Sequence, residues 1–189
     1  MIDDAERRLG RSVLQAHVQQ FFAGRAVYER AWQVGPIERS LPGFRVLVVE
    51  PGDDRTWTYV SCGAWEAPGH LEFAITAPGD DSAHVETLAM VANLHADPKY
   101  RLRIGAVLDI GRPFVAGSTC AHLLVSLPYP FGPAFERVTI GEHPVRISWL
   151  FAITKAEAAF ARTHGVEMLE QRLEAAAVDM LDPKRASCV

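Results

Sequence analysis

The stretch from Phe44 to Gly63, FRVLVVEPGDDRTWTYVSCG, most narrows what this chain can fold into. Phe44 to Glu50 is almost continuously apolar, the pattern of a strand covered on both faces. Pro51, Gly52, Asp53 and Asp54 then supply turn chemistry: a fixed φ, a permissive backbone, and carboxylates that bond their own main chain. Thr56 to Cys62 alternates, with Trp57, Tyr59 and Ser61 on one side and Thr58, Val60 and Cys62 on the other. Two such strands cannot stand alone in water. The rest of the chain must give them neighbours and cover.

Upstream, Asp3 or Asp4 can cap a helix running to about Ala23, with Leu9, Val13 and Ala16 on one stripe and Gly24 as its stop. A second helical piece is expected over Ala26 to Gln33, before Gly35-Pro36 and Pro42-Gly43 break the chain. Downstream, His70 to Thr76 reads as a strand with Leu71, Phe73 and Ile75 on one face. A helix follows from Asp81 or Ser82 to about Ala96. Tyr100 to Ile104 alternates like a strand, and Gly105 to Ile110 holds a short one. Ala121 to Leu127 is an interior strand. Phe135 to Ile140 and Val145 to Ile153 form a hairpin through Gly141-Glu142-His143. Thr154-Lys155-Ala156-Glu157 is a capping box that opens a helix ending at His164-Gly165, and a last helix starts at Val166.

Hairpins with one long helix between strands predict an α+β fold: a mixed, mostly antiparallel sheet flanked by helices, with N-terminal and C-terminal helices. No G-x-G-x-x-G follows a strand and no G-x-x-x-x-G-K-[ST] occurs, which disfavours a doubly wound nucleotide-binding fold. The expected division is a helical segment over residues 1–40 packed on the domain, the domain proper over 41–182, and a tail over 183–189. A structural homodimer built on the N-terminal helices is the alternative use of that first segment.

Net charge narrows the function. At −4, with 22% charged residues, the chain lacks the concentrated positive surface that non-specific nucleic-acid binding needs. Tyr100-Arg101-Leu102-Arg103 is a minor basic strip. Three cysteines without C-x-x-C spacing fit a reducing cytosol better than a disulfide framework. The charged start, MIDDAERRLGRS, has no apolar leader, and no apolar run reaches about 18 residues, so the expectation is a cytoplasmic protein without a membrane span.

No catalytic motif is present. The nearest approach to a metal-dependent or Cys/His enzyme would join Cys120 and His122, two apart on one strand, with His70 and Glu72, two apart on another; that spacing matches no zinc signature. Gly117-Ser118-Thr119-Cys120 lacks the surroundings of a nucleophile. Asp53-Asp54 and Asp80-Asp81 sit in Pro-Gly-Asp-Asp turns and read as turn residues. No cofactor or metal is therefore expected. The best candidates for binding another protein are aromatic side chains on loops: Trp65, between Gly63 and Pro68, and Tyr129 and Phe131, among three prolines.

Thr56-Trp57-Thr58-Tyr59-Val60-Ser61-Cys62-Gly63, followed by Gly69-His70-Leu71-Glu72-Phe73, resembles the suppressor of fused domain in its bacterial form. The helix around Leu88 to Leu94, Gly105, the strand Val145 to Leu150 and the Thr154 to Glu157 helix start agree in order, so the likeness spans about Val46 to Leu181. Gly63-Ala64-Trp65-Glu66 departs from the Gly-apolar-Ser-acid run of many members. The resemblance implies a non-enzymatic protein-binding domain. Animal members sequester zinc-finger transcription factors of Hedgehog signalling by gripping a peptide between two domains; the 189 residues here leave no room for the second, so that clamp is not carried over. Bacterial members imply a different partner: a toxin domain of a polymorphic toxin system, neutralised by its immunity protein.

Overall fold

The computed structural model describes residues 2–189. Its sheet is built from eight strands: β1 (Val27–Ala31), β2 (Arg45–Val49), β3 (Trp57–Cys62), β4 (Leu71–Ala77), β5 (Val107–Asp109), β6 (Cys120–Ser126), β7 (Arg137–Ile140) and β8 (His143–Thr154). Their order is β1-β2-β3-β4-β8-β6-β5, with β7 also on β8. β4 and β8 run parallel; the other pairs are antiparallel. A parallel pair needs a long crossover, and the chain from Pro78 to Glu142 supplies it. The mixed, mostly antiparallel sheet is the one expected from the sequence.

Helices α1 (Asp4–Phe21), α2 (Ile37–Ser40), α3 (Ser82–Ala96), α4 (Pro133–Glu136), α5 (Lys155–His164) and α6 (Val166–Ala175) cover it. One face carries Val46, Val48, Tyr59, Phe73 and Ile75 against α2 and α3. The other carries Leu47, Val49, Val60 and Ala74, where Leu14 and Val18 of α1 and Phe22 just past its end pack. Further along that second face, Trp149, Phe151 and Ile153 of β8 meet α5 and α6. Two covered faces explain why β2 is apolar from Val46 to Val49.

Two local expectations fail for the same reason. Residues 27–31 form edge strand β1 rather than a helix, because Val27 to Ala31 pairs along β2 from Val49 to Arg45, and pairing outweighs a short helical pattern. Tyr100 to Ile104 is not a strand. It has no strand beside it; Leu102 is buried, its amide donating to His95 Nδ1 at 3.1 Å, and Ile104 is partly covered.

The last residues are held rather than loose. Thr119 N donates to Pro183 O at 3.0 Å and Thr119 Oγ1 to Arg185 O at 2.7 Å. Asp3 and Thr154 both make the reciprocal bonds of a capping box. At the second, the glutamate three residues on has a further task. Glu157 is fully buried and receives both Arg185 Nη groups, at 2.6 and 2.7 Å, and the Cys188 amide at 3.1 Å. Burial alone would raise the Glu157 carboxyl, but Arg185 and the amides of Thr154 and Cys188 outweigh it and bring its pKa down to about 2.

Arg185→Ala is expected to destabilise the protein by about 3–5 kcal/mol in urea unfolding, because it leaves a buried carboxylate uncompensated. The sign with pH follows from the lowered pKa. In the wild type this contribution is complete above the unfolded value of about 4.5 and is lost as pH falls toward 2. The variant should lack that acid limb.

Candidate partner-binding site

Trp65, Tyr129 and Phe131 meet three different fates. Trp65 sits in a single 3₁₀ turn, Ala64–Glu66, and is 1% exposed, so it is core and not a docking anchor. Gly63, at φ +124°, permits the turn, and Gly10 of α1 makes the room. A Cβ at Gly10 would lie 2.4 Å from Trp65 Cζ2. Phe131 is half-buried among Phe21, Phe22 and Phe135, with ring centroids 5.9, 5.5 and 4.7 Å away. It fastens the proline-rich loop to α1. Tyr129, held up by that fastening, is 62% exposed.

Tyr129 borders a groove of about 620 Å³ on the second face of the sheet. Trp149 and Phe151 form the floor, since residues two apart on β8 share a face; their rings lie 4.8 Å apart. Trp149 Nε1 donates to Thr76 Oγ1 at 3.2 Å, which fixes the indole. Leu173, Val178 and Met180 close the far side. Glu167, Glu170 and Glu174 of α6 form the rim. Ser126 Oγ donates to Glu170 Oε1 at 2.5 Å. Burial and the nearby Glu170 charge raise the Tyr129 phenol above its usual pKa. The rim was not foreseen. Its signal is acids at intervals of three and four on one helix face; the floor reads from sequence only as strand core.

The four residues of the enzyme alternative do not meet. Glu72 lies opposite Ile147 and Cys120 opposite Thr154, seven residues apart along β8. At about 3.3 Å per residue that is roughly 23 Å. His122 Nε2 instead approaches Asp109 Oδ2 at 3.7 Å, and His70 Nδ1 pairs with Trp65 O at 2.9 Å. Among the described residues no three His, Cys, Asp or Glu side chains are grouped to hold a metal ion. Glu72 is fully buried and bonds the Ser61 hydroxyl, the Gly63 amide at 2.7 Å and the Trp65 amide at 3.2 Å. Burial dominates those bonds and raises its pKa to about 8. Its role is to terminate β3 and hold the Trp65 turn. Asp54, Asp80 and Asp81 act as expected of turn acids: Asp80 pairs with Arg30 at 2.6 Å, Asp54 takes the Thr56 amide, and Asp81 caps α3.

An α+β domain with a mixed sheet and helices at both ends is what the geometry defines. The chain belongs to the suppressor of fused family: the family model described as Suppressor of fused protein (SUFU) matches residues 40–186. A SUFU homologue from Neisseria gonorrhoeae is 37% identical, with a TM-score of 0.87 over 95% of this chain and 97% of that one. The fold also recurs at 12% identity in the Sufu–Fu complex, with a TM-score of 0.71 over 95% of this chain and 92% of that one. In Drosophila Suppressor of Fused the TM-score is 0.64 at 12% identity; the match takes in 95% of this chain and about half, 51%, of that longer protein. No curated protein matches the sequence significantly.

Gly10→Ala should cost about 1–3 kcal/mol by displacing Trp65. Thermal unfolding measures it, and Trp65 fluorescence should change with it. For Glu72 the pH sign is opposite to that of Glu157. With the native pKa raised, its contribution is complete below about 4.5 and is lost as pH rises through 8. Glu72→Gln should therefore gain stability relative to wild type between pH 5 and 8 in paired denaturant curves.

Proposed function

We propose that this chain is a non-enzymatic binding domain that grips another polypeptide, with the groove beside Tyr129 as its contact. The observation that carries this is a large exposed aromatic on a rigid loop, standing over an apolar floor. Such a residue buries much area on binding at little entropic cost. Membership of the suppressor of fused family supports the reading, and one solved relative is a Sufu–Fu complex. The separation of Cys120 and His122 from His70 and Glu72 removes the geometry that the enzyme alternative requires. The face of α1 that packs in its own domain is Gly10, Leu14 and Val18, beside Trp65, Val49 and Phe135, whereas Leu9 and Ala16 of the stripe expected from the sequence are exposed.

The finer reading is that the partner is a toxin domain and this chain its cytoplasmic immunity protein in a bacterial polymorphic toxin system. It rests on the likeness to bacterial members. The test is co-expression with a toxin-like reading frame encoded beside this gene. Growth should be restored by the wild type, and a co-purified complex should form. Tyr129→Arg should weaken that complex at least about tenfold while leaving the thermal midpoint unchanged. Growth arrest that persists in the presence of the wild type sinks the immunity reading, and a complex indifferent to Tyr129→Arg sinks the assignment of the surface.

A further inference from the structure

The charge around the groove narrows what it can accept. Glu167, Glu170 and Glu174 are spaced three and four apart, which puts all three on one side of α6. None has a Lys, Arg or His nitrogen within 4.0 Å among the described residues, and no lining side chain is cationic. Glu174 also lies in the last turn of α6, where the helix dipole favours a cation. Glu170 keeps its bond from Ser126, but the like charges of the three carboxylates repel one another along α6, and a cationic ligand relieves that repulsion. The floor adds a second demand, since the Trp149 and Tyr129 rings attract apolar side chains and the faces of guanidinium groups.

We propose, resting on the polypeptide-binding reading above, that the groove takes a basic, apolar segment of the partner. A Trp, Leu or similar side chain seats on Trp149 and Phe151, and flanking Arg or Lys residues meet Glu167, Glu170 and Glu174. Acidic peptides and nucleic acid are repelled from the same rim. The chain itself carries one exposed strip of comparable chemistry, Lys99, Tyr100, Arg101 and Arg103. A second copy would bring its own net charge of −4 against this one, so a distinct basic partner fits better.

The test uses the full chain and three labelled 12-residue peptides, read by fluorescence anisotropy at low and physiological salt. One peptide has a Trp-Leu centre flanked by arginines, one has glutamates in place of the arginines, and one has serines in place of Trp-Leu. The first should bind at least tenfold more tightly than either of the others, and more weakly as salt rises. E167Q/E170Q/E174Q should weaken it at least tenfold, and E167K/E170K/E174K should shift preference to the glutamate peptide. Equal binding of the basic and acidic peptides, or basic-peptide binding indifferent to the triple Gln change, overturns the proposal. A natural complex lost with Tyr129→Arg but retained by the triple Gln variant would reject the basic class and leave the polypeptide-binding reading standing; survival of both changes rejects the groove itself. A concentration-dependent dimer dissolved by K99Q/R101Q/R103Q would put a second copy in the groove and likewise overturn it.

Discussion

Strand β8 is the constraint on which the rest of the molecule depends. It is twelve residues long and must pair on both edges. Its first half lies between β4 and β7, and its second half turns to β6. The β4 ladder ends at Ala74 opposite Trp149, so β8 continues past the point where that neighbour leaves. Buried carbonyls there still need donors. Arg185 supplies one, its Nη2 donating to Ala152 O at 3.2 Å while the same guanidinium is anchored on Glu157. The ordering of the C-terminal residues is therefore a consequence of how the sheet divides. So is the groove, whose floor is the β8 segment just beyond the division.

Two buried glutamates show how one residue type is stabilised in opposite ways. Glu72 is surrounded by dipoles only, a hydroxyl and two amides, and these do not offset the loss of water; the neutral acid is favoured. Glu157 has a guanidinium in contact as well, and the anion is favoured. Both carboxyls sit where a strand gives way to a turn or helix, where backbone amides lack ladder partners. Their raised and lowered pKa values follow from structural duties, so neither is evidence of catalysis.

Much of this was legible in the sequence, and the exceptions have a common cause. The β2–β3 pair, its turn, the α3 cap and the Thr154 capping box are set by residues close in the chain, and each was readable. The helical misreading of Val27 to Ala31 arose because an edge strand is defined by its neighbour, here β2. Trp65 read as an exposed loop aromatic because the glycine that accommodates it, Gly10, lies 55 positions upstream on another element. Phe131 and Tyr129 looked equivalent, one residue apart from a shared proline; α1 separated them by burying one ring. Nothing local marks Arg185 as the partner of Glu157 either.

The groove presses this point further. Trp149 and Phe151 are apolar residues on a strand, and from sequence they belong to the core. In the fold they are indeed mostly covered, yet both line the groove between α6 and Tyr129. The glutamates above them look like the solvated side of an ordinary amphipathic helix. What sets them apart is their place beside aromatic rings: three acids on one side of α6, with Glu174 in the last turn, and no cation among the groove-lining residues. At Glu174 the helix dipole favours a second cation beside Arg172 rather than an acid. A helix rule broken at Glu174, beside rings that the fold leaves lining a groove, marks where local stability and the wider surface make different demands on one residue.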